Sequence, residues 1–560
     1  MNYNAVLLNA LTNLYSDCEP HGEVFEGAEI FGNEAVSFIA AVNKESDGDE
    51  SGEAAVTEML VKIKSPLKKY ITVSTVENIP AKTVVPVCDE WVERQGVGLY
   101  PDRLHRIKDG RFTLSTGSRS GLFITVNPHL ELIPAGEYSV VIELYKYGMN
   151  WKGEKTDDIL LSSLKTKITV LDKLLPRQKR ITTNWMHYDC ISVLSGTKPW
   201  TEKYFRTVRN YMRLAAENGQ NMVLTPAFTP ALDTPIGEER MTAQLVGVEN
   251  SNGKYRFDFA LLDRFIETAQ SAGIEYFEHC HMFTQWGAAN APKIIVRENG
   301  RAVKKFGWQT DASSEEYRFF LHSYLKALLA HLEKIGLKKN FFFHASDEPS
   351  IKNLETYKSA SKFLREEIGD AASGDALSEY AFYEQGLVDI PIVSSDHIEK
   401  FFGKASKLWI YFTGYQSKNH LTNRIAGMPQ VRGRILGIQM YYYGIEGFLH
   451  WGFNAHHNKL SRKIIDPRIS GDMGGDFACG TSFLVYPDMD GAEPSQRLIT
   501  FRDAMQDIRV LELLESYVGR EATETLIKKF IPDIGLHCKV TDKQLLSLRF
   551  EAVGEIKRHI

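Results

Sequence analysis

The run Phe341-Phe342-Phe343-His344-Ala345-Ser346-Asp347-Glu348-Pro349 carries the sharpest chemical signal in the chain: an apolar strand runs straight into two adjacent carboxylates and a proline. Proline disfavours the helical region for the residue before it, so Glu348 is expected to be extended, with room for a helix from about Ser350. Glycosidases commonly place two carboxyl groups on opposite sides of the scissile bond, and neighbours on one strand end fit that poorly. They fit better the substrate-assisted variant, in which the sugar's own 2-acetamido oxygen attacks the anomeric carbon. Asp347 would accept the acetamide N–H and steady the oxazolinium charge. Glu348 would protonate the leaving oxygen and later deprotonate water, which needs a pKa raised by aromatic walls and the neighbouring Asp.

These residues need a scaffold. From about residue 181 strands and helices alternate, and glycine repeatedly ends a helix before the next apolar run, the rhythm of βα units. The helix from Thr201 puts Tyr204, Val208, Tyr211, Met212 and Ala215 on one face and stops at Gly219. Another follows Asp258, buries Leu262, Phe265, Ile266 and Ala269, and stops at Gly273. A third opens on a capping box, Ser313 with Glu316, and ends at Gly336. Strands are assigned to 181–189, 221–228, 275–283, 341–349, 376–382, 388–393, 407–414 and 447–454, of which the fifth and sixth lack strong apolar runs.

Eight strands in series predict a (β/α)8 TIM barrel over 179–494, with its chemistry at the C-terminal strand ends. Upstream, the β-branched segments 36–42, 122–126, 138–144 and 165–171 predict an N-terminal β-sandwich over 1–178, broken by a polar loop at 43–53. Residues 495–560 read as a helical segment packed on the barrel, starting with a helix that carries Leu498, Phe501, Met505 and Ile508. The fold class is thus multidomain, with α and β elements.

Aromatic residues at the strand ends suit a sugar, whose apolar faces pack on rings. A period of two in 407–414 puts Trp409, Tyr411 and Thr413 on one face, inward, and Leu408, Ile410 and Phe412 on the other. Tyr411 is placed to bond an acetamide and Trp451 to wall off its methyl group. Trp185, His281, Trp286, Tyr415 and Asn454 are further candidates for lining the pocket. His279-Cys280-His281 could start a metal site, but no further ligands are apparent at other strand ends, so neither metal nor organic cofactor is expected. His456-His457 reads as an exposed loop. Gly471-Asp472-Met473-Gly474-Gly475-Asp476 lacks the preceding strand and the Lys of a phosphate loop, and reads as a mobile segment able to close over substrate.

Composition narrows the classes. Hydrophobic residues at 43%, charged residues at 24% and a formal charge of −5 over 560 residues describe a globular chain large enough for more than one core. The acidic balance and short basic runs argue against a nucleic-acid partner. No run reaches the ~18 apolar residues of a membrane helix, so no membrane insertion is expected. Six cysteines without a CxxC pair, and an opening stretch without a basic n-region, point to a reducing, cytoplasmic compartment.

Four ordered stretches, the Asp-Glu-Pro strand end, LWIYFTGY (408–415), MYYYGIEGFLHWGFN (440–454) and TSFLVYPDMDGAEPSQRLITFRDAMQDIRVLELL (481–514), together resemble glycoside hydrolase family 123. TVNPHLELIPAGEYSVVIEL (125–144) is similar to the sandwich that precedes the barrel in that family. The resemblance implies a retaining β-N-acetylgalactosaminidase acting through the acetamido group on a GalNAc-terminated glycan or glycolipid, with Asp347 and Glu348 in the roles argued above; the rival readings are a related glycosidase for another sugar such as β-linked GlcNAc and a catalytically silent carbohydrate-binding protein on the same scaffold.

Overall fold

A computed structural model describes residues 3–44, 56–82, 88–150 and 152–560. The N-terminal region holds two five-stranded sheets. One runs Tyr3–Asn9, Val36–Lys44, Arg119–Val126, Ile71–Ala81, Gly98–Arg106 in spatial order, antiparallel throughout. The other runs Gly27–Phe31, Ile159–Leu171, Gly136–Lys146, Val56–Lys64, Arg111–Ser115, with its first pair parallel. Phe38, Ala40, Val42 and Ile124 from the first sheet meet Met59, Ile142, Leu144 and Ile168 from the second in one core. The alternate residues Ile39, Ala41 and Phe123 pack with Ile499, which lies beyond the barrel strands. Both faces of that strand are therefore buried, which is why 38–42 reads as an unbroken apolar run. Asn43 and Lys44 complete the strand, and 45–53 of the expected polar loop lie outside the described residues.

The next region is a nearly closed eight-stranded parallel barrel. Its strands in chain order are Ile181–Asn184, Met222–Thr225, Tyr276–His279, Phe341–Phe343, Ala372–Leu377, Ile390–Ser394, Trp409–Tyr411 and Gly447–His450. The second to eighth pair in sequence and the eighth pairs with the first. Between the first and second, the Asn221 side chain accepts from the Thr182 backbone N–H at 2.9 Å and donates to the Arg180 carbonyl. With one backbone bond, from the Asn221 N–H to the Thr182 carbonyl at 3.3 Å, an amide side chain thus bridges the gap in the ladder there.

The helices follow the apolar faces read above. Thr201 caps Glu202–Glu217 by accepting from the Tyr204 N–H, and Gly219, Gly273 and Gly336 take left-handed φ just past their helices. The capping box at Ser313 and Glu316 does not form. The Ser313 hydroxyl is drawn to Asp311, Glu316 pairs with Lys305, and the helix begins one residue later at Glu315. The fifth strand lies at 372–377 rather than 376–382, because Tyr380–Glu384 coils into a short helix. Two hairpins unanticipated from the sequence, 247–258 and 294–306, form a four-stranded sheet after the second and third barrel strands. The long helix Gln496–Val518 buries Leu498, Phe501, Met505 and Ile508 in the barrel's own core. No helix among the described residues is long and apolar enough to cross a membrane.

Candidate active site

Asp347 and Glu348 leave the fourth barrel strand at its C-terminal end, Asp347 half-buried and Glu348 exposed along one edge. Glu348 is not extended as expected: its φ is +43°, in the left-handed region. Such a backbone costs a non-glycine residue about 1–3 kcal/mol and persists only where its surroundings overdetermine it. Here they do. The Trp286 N–H donates to the Asp347 carbonyl at 2.8 Å, the Glu348 N–H to Ala376 at 3.1 Å, and the Phe283 N–H to Ala345 at 3.0 Å. The carboxylate of Asp375 accepts from the N–H groups of Ala345 and Ser346. Tertiary contacts override the local preference imposed by Pro349, and the turn aims the two side chains together.

The Tyr411 hydroxyl donates to Glu348 Oε1 at 2.7 Å. Desolvation pushes the Glu348 pKa up, the Tyr411 bond pulls it down, and the Asp396 charge pushes it up again. Asp347 is raised well above the ordinary carboxylate range, first by desolvation, then by the Glu348 charge, while His344 acts in the opposite sense. No donor among the described residues reaches the Asp347 carboxylate. Two neighbouring carboxyls that both resist ionisation share a proton more easily than two charges.

Beneath the pair lies a buried chain that sequence reading missed. Glu278 accepts from Thr183 Oγ1 at 2.8 Å, Trp185 Nε1 at 2.6 Å and His344 Nε2 at 2.7 Å. His344 Nδ1 lies 3.2 Å from Asp375 Oδ1, and Tyr357 donates to Asp375 Oδ2 at 2.6 Å. The two carboxylates raise the His344 pKa to about 10 against the pull of desolvation. The one signal available was Glu278 itself, a carboxylate amid the apolar Tyr276-Phe277-Glu278-His279, which must find partners if buried.

The aromatic candidates fall at different depths. Trp451 is partly buried at the end of the eighth strand, with the Phe477 ring 5.5 Å away and His450 stacked at 5.9 Å. Trp409 faces inward but lies below the pair, stacked on Phe342 at 5.1 Å, and Gly447 makes the room: a Cβ there would come within 2.2 Å of the indole. Trp185 is buried with its N–H committed to Glu278. His281 is buried, stacked on His344 at 4.6 Å, and neither ring nitrogen finds a partner. Trp286, 43% exposed, stands at the rim with φ +61°, and Tyr415 is 79% exposed. Asn454 is fully buried, away from any ligand at the surface of the site, and its amide clamps the His187 backbone through both N–H and carbonyl.

Two further expectations are corrected. His456 and His457 are buried, not exposed. The former bonds the Val485 carbonyl and the latter the Asp189 carboxylate. The glycine-rich loop is pinned at its start rather than free. The Gly471 N–H donates to Pro80 of the N-terminal region, and the Asp472 carboxylate accepts from the Lys82 N–H at 2.7 Å.

Two groups have metal-ligand composition, His187 with Asp189 and His457, and His281 with His344 and Asp375. In the first, the buried Arg240 guanidinium grips Asp189 at 2.6 and 3.0 Å and reaches His187 Nδ1 at 2.9 Å, so a cation is already supplied. In the second, both nitrogens of His344 are spent on carboxylates. His279 points away from both, bonded to Tyr324.

The catalytic-domain model of glycoside hydrolase family 123 matches residues 185–514. Over 100% of this chain and 97% of its own, the structure of a family 123 glycoside hydrolase from Clostridium perfringens, described in connection with glycolipid glycan hydrolysis, superposes with a TM-score of 0.67 at 13% identity. A family 10 xylanase from Thermobacillus composti gives a TM-score of 0.31 at 12% identity, covering 59% of this chain and 97% of that one. No curated protein sequence matches the chain. The family match covers more than half of the 560 residues and includes Asp347, Glu348, Tyr411 and the Glu278–His344–Asp375 chain, and the chain belongs to glycoside hydrolase family 123.

Proposed function

We propose that this glycoside hydrolase is an exo-acting, retaining β-N-acetylgalactosaminidase that removes terminal GalNAc from a glycan or glycolipid by substrate-assisted catalysis. The observation that carries the reading is the state of the two adjacent carboxyls. Burial favours the protonated form of Glu348, whose Oε1 accepts from Tyr411, and the Asp347 carboxylate has no donor of its own among the described residues. A 2-acetamido N–H is the donor that Asp347 lacks.

Glu348 gives its proton to the glycosidic oxygen as the acetamido oxygen bonds to the anomeric carbon and the leaving alcohol departs. Asp347 accepts the N–H of the forming oxazolinium ring. Glu348, now anionic, takes a proton from water, whose oxygen opens the ring from the opposite face and restores the original anomeric configuration. Trp451 and Phe477 supply a wall for the acetamide methyl. The scaffold for this chemistry is a (β/α)8 barrel of the TIM type over about 179–494, a reading supported by eight parallel strands in order with helices after most of them.

The test is inhibition by the thiazoline mimic of the oxazolinium ion. It should bind about 10²-fold or more tighter than free GalNAc, and affinity no better than that of the free sugar removes acetamido participation. Nitrophenyl β-glycosides of GalNAc, GlcNAc and galactose should rank in that order, and preference for galactose would leave the acetamide without a role.

A further inference from the structure

Glu278, His344 and Asp375 come from the third, fourth and fifth strands, and each is at most 3% exposed. Both nitrogens of His344 face carboxylate oxygens, at 2.7 and 3.2 Å. Ionised carboxylates only accept, so both nitrogens must donate, and His344 is an imidazolium. Each carboxylate has its remaining donors supplied, Glu278 by Thr183 and Trp185, Asp375 by Tyr357 and two backbone N–H groups. Those two N–H groups belong to Ala345 and Ser346, the residues that lead into Asp347. The chain therefore grips the turn that carries the carboxyl pair and sets a fixed positive charge under it.

We propose that the Glu278–His344–Asp375 chain is a positioning unit, in which Asp375 fixes the geometry of the Asp347–Glu348 turn and the His344 imidazolium is the positive charge that counters the carboxyls facing Asp347. The assignment rests on the acid and acceptor roles proposed above. The charges facing Asp347 are Glu348, His344, Asp375 and Glu278, of which His344 alone is positive. Those facing Glu348 are Asp347, Asp396 and the bonded Tyr411. His344 itself faces Glu278, Asp375 and the stacked ring of His281, which burial keeps neutral. One imidazolium among these carboxyls lowers the cost of an anion at Asp347, against the desolvation and the carboxyl charges that raise it.

The first measurement uses the unaltered protein and does not depend on the sugar accepted. Nitrogen-15 spectra of its histidine rings should show His344 with both nitrogens protonated at neutral pH and up to about pH 9. A neutral tautomer at pH 7 overturns the proposal. The second is His344→Gln. With the positive charge gone, the Asp347 carboxyl, followed by its carbon-13 signal, should titrate about one unit or more higher than in the parent. The acid limb of the kcat/KM profile should rise with it, and kcat should fall at least about tenfold with little change in KM. An unmoved Asp347 titration sinks the electrostatic half. Tyr357→Phe, which keeps the packing and removes one donor from Asp375, tests the positioning half if the first variant does not fold. It should lower kcat severalfold at constant KM, and full activity would reject the clamp. If acetamido sugars proved not to be substrates, the nitrogen-15 and carbon-13 results would still stand or fall alone.

Discussion

Two buried clusters of histidines and carboxylates in the barrel region carry opposite balances of charge. At the ends of strands three to five, one histidine lies between two carboxylates, and His344 is driven up to about 10. Around strands one and eight, two histidines share one carboxylate with an arginine. Arg240 satisfies Asp189 and donates to His187 Nδ1, while His187 Nε2 donates to the Trp451 carbonyl, a pattern only the neutral ring can make. His187 is pushed well below 6.5, first by desolvation and then by Arg240, and His457 is lowered for the same reasons. Burial is equal in the two. The ratio of acids to bases decides which histidine is charged, and only the acid-rich side leaves carboxyls with a proton to move.

The largest effect expected from this contrast is on the acid-rich side. Glu348→Gln should reduce kcat/KM for a glycoside with an alkyl leaving group by about 10³-fold or more while the melting temperature stays close to the parent's. Undiminished turnover would remove Glu348 from its role and equate the two clusters. On the base-rich side the order reverses. Arg240→Met strands the buried Asp189 carboxylate and should cost about 3–5 kcal/mol of stability, read by urea unfolding, with the activity of the folded fraction largely kept. A variant as stable as the parent would mean that Asp189 is not ionised.

The clusters should also answer pH in opposite directions. The folded pKa of His344 lies above the unfolded value of 6.5, so its stabilisation is complete below pH 6.5 and is lost as pH rises toward about 10. The folded pKa values of His187 and His457 lie below 6.5, so the unfolded chain binds more protons there, and stability falls as pH drops below 6.5. Urea midpoints from about pH 5 to about pH 9.5 should form a dome whose alkaline side flattens in His344→Gln. An unchanged alkaline side would contradict the charge assigned to that ring. The smallest effect belongs to Tyr411→Phe, which removes one hydrogen bond to Glu348 and should lower kcat/KM about tenfold. That bond holds the Glu348 pKa down, so the basic limb of the profile should move up; a downward shift would mean that the hydroxyl stabilises the neutral acid instead.

Much of the scaffold was legible because it follows from periodicity. The helix faces beginning at Tyr204 and Leu262, and the glycines that end those helices, are local properties of helical geometry, and the structure repeats them. The fifth strand was displaced because Ala372-Ser373-Gly374-Asp375 has little apolar content to read, and it owes its place to ladder bonds with neighbours on both sides. His456-His457 looked polar and exposed because nothing local announces that Val485 and Asp189 will cover them.

The sequence alone determined that Asp347 and Glu348 are adjacent and follow an apolar strand, since covalent order is all that statement needs. Only the tertiary structure decided the left-handed turn at Glu348, the Tyr411 contact and the protonation of His344. Each depends on groups 28 to 66 residues away brought within hydrogen-bond reach, such as Ala376 at 28 residues, Tyr411 at 63, Glu278 at 66 and Asp375 at 31. A side chain's charge is set by its neighbours in space, and a linear pattern does not contain them.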